Sequence, residues 1–225
     1  MNKYILLGSK EKLWKGAMLG TIVHAIWVSQ HPELAYLQSW DGINYNVQNY
    51  EGALGTVTFA EEGIVAVFFD AHSSKNPFSS DTNYELMSFF SGIPDDLLSL
   101  AQDQALQYVI QELEGVDRPI ITTAFWSEGE DFIAPEPWDE VFSDGAHLVQ
   151  TQLLDTDAAI ATWQSYYGLS PVQLEIIRSI YSRKLATPNQ HITLSVQEKT
   201  IISSEAAPGL LHTRELLENV GITLP

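Results

Sequence analysis

No cysteine occurs anywhere in this chain of 225 residues. Disulfides, thiolate nucleophiles, zinc–thiolate sites and iron–sulfur clusters are therefore excluded. Positive charge is scarce as well: 11 Lys and Arg face 29 Asp and Glu, a formal net charge of −18. A field of that sign repels phosphate backbones and anionic membrane surfaces, and it attracts basic partners. Neither nucleic acid nor a membrane is expected as a partner. Long apolar runs are missing too. Tyr4–Leu7 is too short for the apolar region of a signal peptide, and residues 17–28 are interrupted by Gly20, Thr21 and His24, short of the roughly 20 residues that span a bilayer. The composition points to a soluble cytoplasmic protein.

The usual signatures of cofactor chemistry are absent. There is no phosphate-cradling G-x-x-x-x-G-K-[ST], no dinucleotide G-x-G-x-x-G, no G-x-S-x-G elbow, no H-E-x-x-H and no EF-hand loop. The six histidines, at 24, 31, 72, 147, 191 and 212, never come closer than seven positions, so no local pair nucleates a metal site. No cofactor and no metal is expected.

What is present has clear periodicity, and 45% hydrophobic residues suffice for a buried core. Residues 9–29 repeat with helical period along Trp14, Met18, Ile22, Ala25, Ile26 and Ser29, behind Ser9 as N-cap. Gly16 and Gly20 weaken that helix but admit a close backbone neighbour. The period then changes to two. In SWDGINYNVQN, Ile43, Tyr45 and Val47 alternate with Asn44, Asn46 and Gln48, as a half-buried strand would. Residues 54–59 read as a second strand. The apolar run IVAVFF, 64–69, reads as a central strand covered on both faces. Residues 40–70 thus form a three-stranded antiparallel meander.

Further on, 71–80 reads as a loop, 84–90 as a short helix and 94–114 as a longer one stopped by Gly115. Residues 119–126 suit a fourth strand. Helices are expected at 155–167 and at 171–185, the latter with Ser170, Pro171 and Gln173 forming a capping box. A last strand at 190–203 and a helix at 209–219 complete the chain. The expected class is α+β: an antiparallel sheet, the meander plus one or two further strands, packed with an N-terminal helix and several C-terminal helices. The whole chain, 1–225, reads as one domain, with a helical subdomain at 150–225 as a variant.

Three groupings carry candidate chemistry. The first is Asp41, Asp70 and His72 at the end of the meander, where two carboxylates and an imidazole suit acid–base work or a metal, with Trp40 and Tyr45 as walls. Polar residues are equally expected where a buried strand emerges into a loop. Ser73 and Ser74, sequence neighbours of His72, are poorly placed to exchange protons with it. The second is the acid-rich segment 127–144, with Glu128, Glu130, Asp131, Glu136, Asp139, Glu140 and Asp144 among Phe132, Trp138 and Phe142. From 119 to 177 ten acids occur and no Lys or Arg. An anionic surface studded with aromatic anchors suits a steered interface with a basic protein, although a solvated loop pinned by its aromatics has the same composition. The third is the uncharged face of the first strand, Asn44, Asn46 and Gln48 beside Trp40, weak protection for a sheet edge unless something covers it.

The favoured reading is a binding module for a basic protein partner, which is how small, acidic, cysteine-free immunity proteins neutralise a basic toxin. The alternatives are an enzyme or small-ligand or metal-binding protein using Asp41, Asp70 and His72, and a structural subunit of a larger complex.

Overall fold

The computed structural model describes residues 3–79, 84–203 and 207–225. In its first half run β1 (Tyr4–Leu7), α1 (Lys10–Val28), β2 (Gln38–Asp41), β3 (Asn44–Gln48), β4 (Ala53–Phe59), β5 (Ile64–Asp70) and α2 (Asp95–Asp103). Next come β6 (Ile110–Leu113), β7 (Val116–Pro119), β8 (Thr123–Glu128), β9 (Asp131–Ala134) and α3 (Trp138–Ser143). The chain ends with α4 (Thr156–Tyr167), α5 (Pro171–Ala186), β10 (Ile192–Thr193), α6 (Val196–Ile202), α7 (Leu210–Asn219) and β11 (Ile222–Thr223). The class is α+β, with an antiparallel sheet in the order β1-β9-β8-β5-β4-β3-β2. Among the described residues no helix is long and apolar enough to cross a membrane. The chain folds into two compact units, Met1–Leu13 with Ile43–Gln150 and Trp14–Gly42 with Thr151–Pro225.

In the first unit β5 is the central strand, and every one of its residues is buried. Val65 and Val67 meet Leu97, Ala101, Leu106 and Trp126 on one face. On the other, Phe68 stacks on Phe125 at 5.9 Å, and Phe125 meets Phe132 and Trp138 at 5.5 and 5.4 Å. Two layers therefore close on a strand whose sequence has no polar alternation, as its apolar run requires.

The stretch expected as one strand over 40–49 is two. Asp41-Gly42 turns the chain from β2 into β3, with Gly42 at φ +58° and Ile43 on the turn, 42% exposed rather than inward. An Asp-Gly pair is a strong hairpin signal because the turn needs positive φ. Tyr45 and Val47 do point inward, at 0% and 5% exposure. After β5 the loop expected over 71–80 is a run of turns as far as residue 79, and Ser80 lies outside the described residues.

The helix expected over 94–114 stops at Asp103. After a short 3₁₀ turn the chain forms a β6–β7 hairpin around Glu114 and Gly115, both at positive φ (+56° and +77°). Gly115 is a hairpin residue and not a helix stop. The acid-rich segment is likewise ordered: β8 and β9 pair through Gly129 (φ +65°), and α3 follows.

The core of the second unit gathers Met18, Ile22, Ala25 and Ile26 of α1 with Ile160 and Trp163 of α4, Ile177 and Ile180 of α5 and Leu217 of α7. The Ser170–Gln173 capping box closes the N-terminus of α5. The strand expected over 190–203 shrinks to β10, because Ser195 and Glu198 form a second capping box that starts α6. Gly16 admits a backbone: a Cβ there would lie 1.9 Å from the Gln152 carbonyl oxygen. His24 is fully buried, its Nδ1 3.4 Å from Tyr167 Oη, and burial lowers its pKa from 6.5 to about 4.

Gly16→Ala should destabilise the protein by about 1–3 kcal/mol through overpacking, although Ala is the better helix former; a melting temperature equal to wild type would contradict that close approach. For His24 the folded pKa lies below the unfolded one, so its neutral form contributes stability above pH 6.5 that is lost as pH falls toward about 4. The loss is up to about 3 kcal/mol, and in urea titrations across that window His24→Phe should flatten it.

Candidate functional site

The C-terminal end of β5 and the turns after it gather most of the buried charge of the first unit. Asp70 ends the strand. Its backbone N–H donates to Thr122 Oγ1 at 2.9 Å, and its Oδ1 accepts the His72 N–H at 2.8 Å. Ser73 Oγ then accepts the Lys75 N–H at 3.0 Å, and Asn76 Oδ1 accepts the Phe78 N–H at 2.9 Å. These local bonds are why an Asp/Ser/Asn-rich stretch holds one shape.

The turns deliver Lys75 between two carboxylates from the segment after β9. Glu136 sits between Pro135 and Pro137, whose rings restrict the backbone around it. It bonds the Lys75 ammonium and accepts from Thr123 Oγ1 at 2.9 Å. Asp144 caps the C-terminus of α3, lies 2.8 Å from Lys75 Nζ and accepts from Ser73 Oγ at 2.6 Å. Behind it, Gly145 has φ +131°, and a Cβ there would lie 2.8 Å from Phe68 Cβ. The two carboxylate side chains are 15% and 9% exposed, and that of Lys75 is 27%.

Burial alone would lower the Lys75 pKa; hydrogen bonds and charge from Asp144 and Glu136 reverse this and raise it above 10.5. With both carboxylates ionised, the ammonium thus stabilises the fold below about pH 10.5, and the contribution is lost as pH climbs through the raised value. A lysine so held is a fixed cation, not a base, and the Ser73 hydroxyl is already committed to Asp144.

Asp70 also meets two imidazoles: His72 Nδ1 lies 3.4 Å from Oδ1 and His147 Nδ1 3.8 Å from Oδ2. Asp70 and His72 are therefore brought together as expected, and His147 joins them unforeseen. Asp41 is an exposed residue at the end of β2, in the second unit. Among the described residues no three His, Asp or Glu are disposed to hold a metal ion.

Beside Lys75 opens a cleft of about 550 Å³, lined by Ser74, Lys75, Tyr84, Glu85, Ser88, Phe89, Pro135 and Glu136. Tyr84 Oη accepts the Ile121 N–H at 2.7 Å, which fixes the ring against Phe89, with centroids 6.0 Å apart. Burial pushes its phenol up to about 12. Nothing in the sequence marked Tyr84, Glu85 or Phe89, which reach the cleft only through the fold.

The acid-rich segment divides. Glu128, Glu130, Asp139 and Glu140 are exposed and Asp131 is half-buried, while Asp144 is buried. Of its aromatics, Phe132 is fully buried and part of the core, while Trp138 and Phe142 are half-buried; Trp138 donates Nε1–H to the Tyr4 carbonyl at 3.2 Å. The cations missing from the local sequence come from elsewhere, Lys75 for Glu136 and Asp144 and Lys3 for Glu128 at 3.0 Å.

Two amides of the β3 face are engaged within the sheet. Thr58 Oγ1 donates to Asn44 Oδ1 at 2.6 Å and Thr56 Oγ1 to Asn46 Oδ1 at 2.7 Å. Asn44 Nδ2 reaches Gln104 Oε1 and Tyr108 Oη at 3.1 and 3.3 Å, and the residue is 2% exposed. Asn44 thus offers no surface to a partner. Gln48 is half-buried, as is Trp40, whose Nε1–H goes to Thr21 Oγ1 at 2.8 Å. No protein-family model matches the chain, and no curated protein or solved structure shows significant similarity to it.

Lys75→Met should cost about 3 kcal/mol, because it strands two enclosed carboxylates. Lys3→Met, at an exposed pair, should change stability by less than about 1 kcal/mol. Equal denaturation midpoints for the two variants would contradict this ranking.

Proposed function

We propose that this protein is a binding module for a basic protein partner, and that the partner presents a cationic side chain to the cleft beside Lys75. The observation that carries this reading is the charge at the cleft: among its described lining residues and their ion-pair partners, three carboxylates, Glu85, Glu136 and Asp144, stand against one ammonium, Lys75. A guanidinium or ammonium entering there meets the surplus carboxylate of Glu85 and the rings of Tyr84 and Phe89, a setting for a cation–π contact of about 0.5–1 kcal/mol. The net charge of −18 steers such a partner from a distance. The exposed Glu128, Glu130, Asp139 and Glu140 add to the same field. Neutralising a basic toxin, as an immunity protein does, is one form of this activity.

An arginine-rich peptide should bind measurably at low salt and progressively less as salt rises, and a glutamate-rich peptide should not bind. Glu85→Gln should weaken the arginine peptide about two- to fivefold without altering stability, and Phe89→Ala should weaken it as well. Binding that ignores salt, peptide charge and both substitutions would refute the reading.

A further inference from the structure

Among the described residues, the second unit holds a buried cation that no acid pairs. Arg183 and Lys184 follow one another in the last turn of α5. Arg183 pairs with Glu198 at 2.7 Å, and earlier in the same helix Arg178 pairs with Asp157 at 2.7 Å. Lys184 instead turns inward and is only 4% exposed. Its Nζ donates to the Gln190 carbonyl at 2.8 Å. Among the described residues no carboxylate comes within ion-pair distance of it.

An ammonium has three donors, and one carbonyl uses one of them. The helix C-terminus favours a cation there but does not replace a counter-charge. Burial lowers the Lys184 pKa, as it must for an amine enclosed without an anion. Gly221 lets the ammonium pack close to the backbone: a Cβ there, at φ +72°, would lie 2.9 Å from Nζ. A residue that both adopts this φ and leaves the ammonium clear is a glycine.

Lys184 is part of the wall of a recess of about 200 Å³. That volume equals roughly seven waters of the liquid. Trp14, Met18 and Trp40 supply apolar walls, and Asn219 and His191 supply polar ones. Trp40 is held in place, its indole N–H on Thr21 Oγ1 at 2.8 Å and its carbonyl accepting from Asn219 Nδ2 at 3.4 Å. The walls are therefore set before any ligand arrives, which lowers the entropy lost on binding.

We infer that this recess binds a small carboxylic acid with a compact apolar body, its carboxylate on the Lys184 ammonium and its ring or aliphatic part against Trp14, Met18 and Trp40. The pairing supplies the missing anion to a buried cation, and the indoles bury the rest of the ligand. Phosphates fit less well: their several oxygens need several donors, while among the described residues lining this wall Lys184 is the one Lys or Arg. The inference is independent of the cleft beside Lys75 in the first unit.

The test is NMR titration of the full chain with benzoate, phenylacetate and hexanoate, each run beside its uncharged amide. The acid that binds best should shift the Trp40 indole N–H resonance and bind about ten- to a hundredfold more tightly than its amide, the range expected of a charge-assisted hydrogen bond. Lys184→Met should erase the preference for acid over amide. Because the acid–amide comparison is made on the wild-type protein, it decides the matter even if that variant does not fold. Absence of binding by all three acids into the millimolar range, equal affinity for acid and amide, or a preference that survives in a folded Lys184→Met protein would each overturn the inference.

Discussion

With 11 basic side chains for 29 acidic ones, the placement of each lysine and arginine decides which carboxylates can leave water. A carboxylate withdrawn from solvent needs an opposite charge and hydrogen bonds, or it costs several kcal/mol. In the first unit Lys75 meets this need for Glu136 and Asp144 at once. The turns after β5, the Pro-Glu-Pro link and the end of α3 converge on that one ammonium. Its neighbours follow from the same requirement: Ser73 and Thr123 complete the hydrogen bonding of the two acids. The cleft opens beside this network because the network holds its walls.

The second unit distributes its cations differently. Arg178 and Arg183 each receive an acid, and Lys184 receives a carbonyl and an apolar recess. A buried amine on a carbonyl acceptor is a weaker structural device than an ion pair, and Gly221 lets that amine pack close against the backbone. The first unit thus sets several carboxylates around Lys75, while in the second, among the described residues, Lys184 has a carbonyl and no carboxylate beside it.

Much of the fold was legible because it rests on local rules. The apolar run of β5, the helical stripe of α1 and the Ser170–Gln173 box all sit where periodicity and capping chemistry put them. The misjudged segments share a cause. Residues 104–114 carry helix-compatible apolar spacing, yet Glu114-Gly115 adopts a hairpin turn whose strands gain ladder hydrogen bonds. Asp41-Gly42 and the Ser195–Glu198 box were visible signals outweighed by the alternation around them. Asn44 and Asn46 looked like a solvent face because amides are polar, but the Thr56 and Thr58 hydroxyls opposite them make that face a hydrogen-bonded ladder. Of the candidate site, Asp70 and His72 were readable from their spacing on one strand end, whereas His147, Tyr84 and Phe89 were not.

Sequence alone determined that thiol and disulfide chemistry is closed to this chain, since a missing cysteine is a property of composition and needs no coordinates. It also determined the elements whose hydrogen bonds close within a few residues. Tertiary structure decided which acids are neutralised, which aromatics are core and where a cation is stranded. Those outcomes depend on side chains meeting across long stretches of chain, and no local period records such meetings.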